Sequence, residues 1–344
     1  MSISAKPVTD SSQAWTPDGG LDGFEEEAVD EVHFASSSSD STFDDVKASL
    51  EGKGASTDRL RPSDIYEEEG EVFVDGVEAS DFDGKIFYRP NTWFSDLSEG
   101  ERLEKMSLMM RLDSEYGVDF FGDPQSALIS RDKKITKSVY DSKGVGTVED
   151  YSLDEAFDLL DDGEEIVAKP RSGTCQGECV ELIESSSELE SYVRDKAGEI
   201  SEEAVAEDLL LEEYLPTGEE NENYDMRMVV VGDEVYRKER VDGDGIANNL
   251  DNNGEYSEPP VMSREELDLA NKSKEIFGEG FYAVDYIRTE DGEVKVLENN
   301  ATPGTKIEKE LPVDLKDKIG DKVYNEDSNP VDIRQGYREE EPVL

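Results

Sequence analysis

Hydrophobic and polar positions fall into two regimes along the chain. Over residues 1–67 the apolar residues are scattered. Phe24, Val29, Phe34 and Phe43 stand among acidic and serine blocks such as Glu25-Glu26-Glu27 and the SSSSDS run at 36–41. No period of 2 or 3.6 is sustained there, which predicts a disordered acidic tail, solvated or folding onto a partner. Periodicity sets in from about residue 68. Val72-Phe73-Val74 and Lys85-Ile86-Phe87-Tyr88-Arg89 read as two strands around an Asp-Gly turn. Ser98 is placed to cap a helix running to about 116, with Leu103, Met106, Met109 and Met110 on one face and Gly117 at its end. That methionine spacing is that of a buried stripe. Together these segments predict a short βαβ region over 68–122.

Further along, the pattern predicts a helix over 132–142 and a strand over 165–170. A glycine-containing loop then leads to a return strand over 179–183. A helix over 186–196 precedes strands at 208–214, 225–231 and 234–240, the last two joined by the hairpin signal Gly232-Asp233. A Gly/Asn/Asp-rich loop fills 241–260. Ser263 caps a helix to about 277, and strands at 282–288 and 294–298 flank Asp291-Gly292. The order predicts an α+β domain over 123–315, with an antiparallel sheet and helices to one side. Residues 316–344 are read as a second acidic tail.

Composition sharpens the picture. The 344 residues carry 35 Lys+Arg against 87 Asp+Glu, a formal charge of −52. Such a charge repels nucleic-acid backbones and anionic membranes, so neither is expected as a partner. A folded chain with this charge suits concentrated salt, where the Debye length falls to roughly 3 Å at about 1 M. The expected setting is a halophilic cytoplasm. No apolar run approaches the length of a membrane span, and the first residues lack a signal-peptide pattern. His33 is the only histidine and lies in an acidic Ser-rich stretch, which argues against multi-histidine zinc sites, Cys-His pairs and histidine-based triads. Cys175 and Cys179 are the only cysteines and read as free thiols.

Four features carry chemistry. Lys169 ends a strand and enters a loop with Gly173 and Gly177, an arrangement suited to phosphate or to a plain hairpin. Asp285, Glu298 and Asn300 lie on two hairpin-connected apolar strands, and three oxygen donors with charge near −2 suit Mg²⁺. Buried carboxylates need a metal or a base beside them. Arg227 and Arg240 lie on neighbouring strands in a base-poor chain, able to clamp a phosphoryl group or to bridge local acids. Glu212-Glu213-Tyr214-Leu215 before Pro216 is a strand running into a linker.

Taken in order, these pieces resemble the ATP-grasp superfamily, in particular its RimK-like and glutathione-synthetase-like carboxylate–amine ligases. The likeness runs from about Gly122 to Glu310. Asp132-Lys133 resembles the family's "DK" pair, whose lysine reaches ATP phosphate. Val167-Ala168-Lys169-Pro170 is similar to its second lysine. Glu212, Glu213, Tyr214 and Leu215 look like the adenine-binding hinge. Asp225-Met226-Arg227 through Gly232 resembles its "D-x-R-x-x-V-V-G" strand, and Asn249 through Gly254 its Asn/Gly loop. Val284-Asp285 and Glu298-Asn299-Asn300-Ala301-Thr302-Pro303-Gly304 resemble its metal-binding signatures.

The resemblance implies an ATP-grasp fold of two α+β lobes clasping nucleotide, preceded by the short βαβ region. It implies ATP with Mg²⁺ (or Mn²⁺), held by Lys133, Lys169, the hinge, Asp225 and Asn249 and by the metal ligands Asp285, Glu298 and Asn300. It also implies a carboxylate substrate activated as an acylphosphate, an amine or thiol acceptor, Arg227 and Arg240 as charge-stabilising catalytic groups, and self-association like that of many relatives. The sequence departs from the family pattern at Ala247, where RimK-like proteins carry arginine, and at Glu255, which replaces the loop's second glycine. Both departures favour an alternative, an inactive nucleotide-binding module that serves as an interaction protein.

Overall fold

The computed structural model describes residues 31–37, 40–94, 97–172, 180–197, 208–216, 223–242, 255–257, 262–278, 280–289, 292–303 and 314–324. The first strand, β1 (Glu31–Ala35), is followed by α1 (Ser41–Lys53) and β2 (Ser56–Leu60). Asp40 caps α1 by accepting from the Thr42 amide at 3.0 Å, and Gly54, at φ 107°, closes it. A small antiparallel meander comes next: β3 (Ile65–Glu68), β4 (Glu71–Val74) and β5 (Val77–Glu78). The chain then adds β6 (Lys85–Tyr88), α2 (Pro90–Trp93), α3 (Glu99–Arg111) and β7 (Phe120–Phe121). Strands β2-β1-β6-β7 form one parallel sheet.

Three expectations are corrected here. Residues 31–67 are not a disordered tail, since they hold β1, α1, β2 and the start of the meander. Each of these elements buries only a few residues, such as Val32 and Phe34 or Val46 and Leu50, too few to register as a local period. Their partners are remote: Val229, Val231, Phe281 and Ile319 complete the same core. The strands at 72–74 and 85–88 do not pair with each other. Asp75-Gly76 instead turns β4 into β5, with both residues at positive φ, while β6 joins β1 in the parallel sheet. On α3, Leu103 is exposed, and Leu108 and Leu112 join Met106 and Met109 in the buried face.

The second sheet follows α4 (Pro124–Ser130) and α5 (Lys133–Ser142). It comprises β8 (Asp150–Tyr151), β9 (Ile166–Pro170), β10 (Glu181–Ile183) and β11 (Leu209–Glu213), in the order β10-β9-β11-β8. Helices α6 (Leu153–Asp161) and α7 (Ser186–Ala197) cover it through Ala156, Leu160, Leu189 and Val193.

The third sheet is antiparallel, in the order β14-β13-β12-β15-β16. It is built from β12 (Asn223–Val231), β13 (Glu234–Asp242), β14 (Glu255–Ser257), β15 (Phe281–Arg288) and β16 (Val294–Asn300). Helix α8 (Arg264–Phe277) lies on the face of Met226, Met228, Val230 and Val284. The opposite face shows why the molecule needs β1 and α1. Val229, Val231, Phe281 and Ala283 pack there against β1, α1 and a last helix, α9 (Leu315–Tyr324). The segment 316–324 is therefore not tail: Leu315, Ile319 and Val323 are fully buried at helical spacing. Gly320 permits the close crossing of α1 and α9, because a Cβ there would stand 2.9 Å from the Ser49 Cβ.

Candidate functional site

The site begins where that apolar face stops. Side chains alternate along a strand, so Asp225 and Arg227 share a face with Val229 and Val231, and Asp285 shares one with Phe281 and Ala283. Register fixes the rest. Arg227 pairs with Asp285 across β12 and β15, Asp285 with Glu298 across β15 and β16, and Ala283 with Asn300. A β-bulge at Asp285/Tyr286 interrupts the last ladder. Arg227 grips Asp285 in a two-pronged pair, with Nε to Oδ1 at 2.7 Å and Nη2 to Oδ2 at 2.6 Å. Asn300 Oδ1 accepts from the Thr302 amide at 2.9 Å, which sets its side chain in a turn. The intervening Asn299 points the other way, to Ser130 Oγ at 2.6 Å.

Helix α5 supplies the next layer. Asp132 caps it through the Lys134 and Ile135 amides and is paired with Arg171, 2.7 Å from its Nη2. Burial pushes the Asp132 carboxyl up, but Arg171 and those two amides together hold it below the ordinary range. Lys133 Nζ lies 3.8 Å from Glu298 Oε2. One helical turn on, Lys137 Nζ lies 3.1 Å from Glu212 Oε1 and also contacts Asp150. Lys169 Nζ takes the other oxygen, Glu212 Oε2, at 2.6 Å. Glu212 and Lys169 lie on the same face of β11 and β9, since Lys169 is in register with Leu210. Glu213, the next residue, faces away and pairs with Lys295 of β16 at 2.5 Å. Tyr214 and Leu215 follow, half-buried.

Several expected residues meet here, and others stay apart. Asp225 is buried and in register with Arg240, and Asp225, Arg227 and Lys238 occupy one face of the β12–β13 hairpin. The Arg240 side chain, Asn249, Ala247, Gly173, Gly177, Cys175 and Cys179 lie outside the described residues. Lys137, Asp150, the buried Lys238 and Arg89 are additions that sequence reading missed. Arg89 is 2% exposed; its Nε donates to Asp40 at 2.6 Å and its Nη2 to the Pro303 carbonyl at 3.2 Å. It thus ties the first parallel sheet to the segment just past Asn300. The signal for Lys137 was in the sequence: it lies four residues after Lys133, on the same face of a short helix.

The donor set fits a hard divalent cation. Asp285 and Glu298 face one another on adjacent strands, Asn300 shares their face, and two cationic side chains border them. Among the described residues no helix is long and apolar enough to cross a membrane.

Lysines of α5 and β9, Glu212 of β11 and the strand carboxylates Asp285 and Glu298 thus come from one helix and two sheets, in a fold shared with solved ATP-grasp ligases. One solved structure similar to it is that of the ATP-grasp ligase PsnB, complexed with a phosphomimetic variant of a minimal precursor, Mg and ADP. That comparison gives TM-score 0.59 and 18% identity over 86% of this chain and 97% of the other. The RimK-like ATP-grasp domain family matches residues 152–323, half of the sequence, and the chain belongs to this family. A probable alpha-L-glutamate ligase from Maridesulfovibrio salexigens is 30% identical over 56% of this chain and 62% of its own length, so the match spans less than two thirds of that relative. A coenzyme gamma-F420-2:alpha-L-glutamate ligase from Methanococcus maripaludis is 27% identical over 64% of this chain and 78% of its own.

Proposed function

We propose that the protein is an ATP-dependent ligase that joins a carboxylate to an amine through an acylphosphate. The observation that carries this reading is the double reach of α5. Lys133 approaches Glu298 on the strand pair, and Lys137, one turn later, approaches the Glu212–Lys169 pair on the hinge strand. Nucleotide-hinge and cation-binding groups therefore border one site. Phosphoryl transfer depends on positioning and charge neutralisation, so no histidine is needed.

In this reading Glu212, Glu213, Tyr214 and Leu215 line the adenine end. Lys133 and Lys169 hold phosphate oxygens, with Asp225 and Asn249 completing the nucleotide set. Asp285, Glu298 and Asn300 hold Mg²⁺, which neutralises phosphate charge when bound. A substrate carboxylate oxygen attacks the γ-phosphorus and releases ADP. The amine then attacks the acyl carbon and releases phosphate. Arg227, braced by Asp285, and Arg240 stabilise the charge that develops on the transferring group. The relatives' names make L-glutamate the first amine to test, with a peptide or small metabolite as the carboxylate.

The test is ADP formation in concentrated KCl with candidate pairs, after mass spectrometry identifies the compounds that ATP consumes in a cell extract. Lys169→Ala and Glu298→Ala are expected to lower the rate by about 10²–10³, as loss of one charge-stabilising group does. Undiminished ADP formation by either variant removes that residue's role. Ala247 and Glu255 favour a second reading, a module that binds nucleotide without turnover; binding with no product across the same screen selects it.

A further inference from the structure

Lys137 has no part in the reaction proposed above, yet it is only 2% exposed. It shares one carboxylate with a second lysine. Lys137 lies 3.1 Å from Glu212 Oε1 and Lys169 2.6 Å from Oε2, and Glu212 itself is 2% exposed. Asp150, in register with Glu212 across β8 and β11, contacts Lys137 from the outer side. The four charges sum to zero. Asp150 accounts for the charge of the second lysine, but not for its place 3.1 Å from Glu212 Oε1.

Lys169 supplies a reason. It sits near the end of β9, just before the 173–177 segment, and its ammonium is held by Glu212. Were Glu212 paired with Lys169 alone, moving that ammonium to a phosphate would strand a buried carboxylate, which is strongly opposed. Lys137 removes the obstacle, since it is anchored on a different element and stays with Glu212 when Lys169 leaves.

We propose that Lys137 is a positioning residue that keeps Glu212 ion-paired and thereby releases Lys169 to the β-phosphate of a bound nucleotide. This rests on the assignment of Lys169 to phosphate made above. Because only phosphates beyond the first gain from Lys169, the effect separates ADP from AMP.

The test is calorimetric titration of the full chain with ADP and with AMP, both with Mg²⁺, in concentrated KCl. Lys137→Met is expected to weaken ADP by about tenfold or more and AMP by under about threefold, the size expected for one lost charge-assisted contact. Lys137→Arg retains the wild-type ratio. In the double variant Lys137→Met/Glu212→Gln, which removes both charges, the ADP-to-AMP ratio returns toward wild type even if adenine affinity falls for both. Equal weakening of ADP and AMP in Lys137→Met, or a double variant whose ratio stays low, overturns the proposal and leaves Lys137 a structural residue. A wild-type chain that binds ADP no better than AMP overturns the phosphate assignment itself, and the inference with it.

Discussion

His33, the only histidine, shows how a single residue escapes reading from its neighbours. In sequence it lies among acids and serines; in the fold it is 4% exposed on β1, between Asp58 and Glu31, with the Phe82 ring tilted against it at 5.0 Å and Gly84 beside the ring. Burial alone would push the imidazole down. The hydrogen bond and charge of Asp58, with the charges of Glu31 and Asp75, outweigh burial and raise it above its ordinary 6.5. A raised folded value means the folded state binds the extra proton more tightly. This contribution to stability is therefore complete below pH 6.5 and lost as pH rises through the folded value. Chemical denaturation across that range should show stability falling with pH in the wild type and a flatter profile in His33→Gln. Equal slopes would show that the carboxylates do not hold the proton.

At the scale of elements, legibility followed the locality of the core. Helix α8 was readable because Ser263, its capping box with Glu266 and the stripe Leu269, Ala270 and Phe277 are all local. Likewise β12, β15 and β16, with their charged positions, were visible as apolar strands interrupted by Arg227, Asp285 and Glu298. What stayed hidden was the pair β1 and α1, whose buried faces are completed from far away by Phe281 and Ile319; α6 was missed although its signals are local, a Ser152–Glu155 capping box and the buried Ala156 and Leu160. The hinge pair was legible as residues but not as geometry, since nothing in the sequence shows two lysines meeting one glutamate.

Glu266 has a role the sequence also concealed. Besides capping α8 it is fully buried, accepting from Arg237 Nη1 at 2.5 and 2.6 Å and from Tyr286 Oη at 2.7 Å. Burial pushes this carboxyl up, but the Ser263 amide, Tyr286 and Arg237 together hold it below its ordinary 4.5. A depressed folded value gives stability that is present above pH 4.5 and lost as pH falls through the lower folded value. Glu266→Gln should lower the unfolding free energy from urea titration at neutral pH by about 3 kcal/mol or more, as for a broken buried pair, and the difference from wild type should shrink in acid. A constant difference across that range would mean the pair does not titrate on unfolding.

Across the whole molecule the −52 charge sets the conditions under which any of this is seen. Self-repulsion opposes a compact state, and added salt screens it. The melting temperature should therefore climb steeply as KCl rises from about 0.1 M to about 1 M, where the Debye length falls from roughly 10 to 3 Å. A flat dependence would mean that local pairing, such as Lys53–Asp321 and Lys316–Asp45 between α1 and α9, already offsets the excess.

The contact of Gly320 with Ser49 joins the first helix to the last described one. A ribosome synthesises α1 long before α9, so β1 and α1 emerge with their apolar faces uncovered and wait for that helix. Folding of β1 and α1 is thus deferred until α9 has been made, and a nascent chain stalled before Leu315 would leave Phe34, Leu50 and Phe281 open to capture by chaperones.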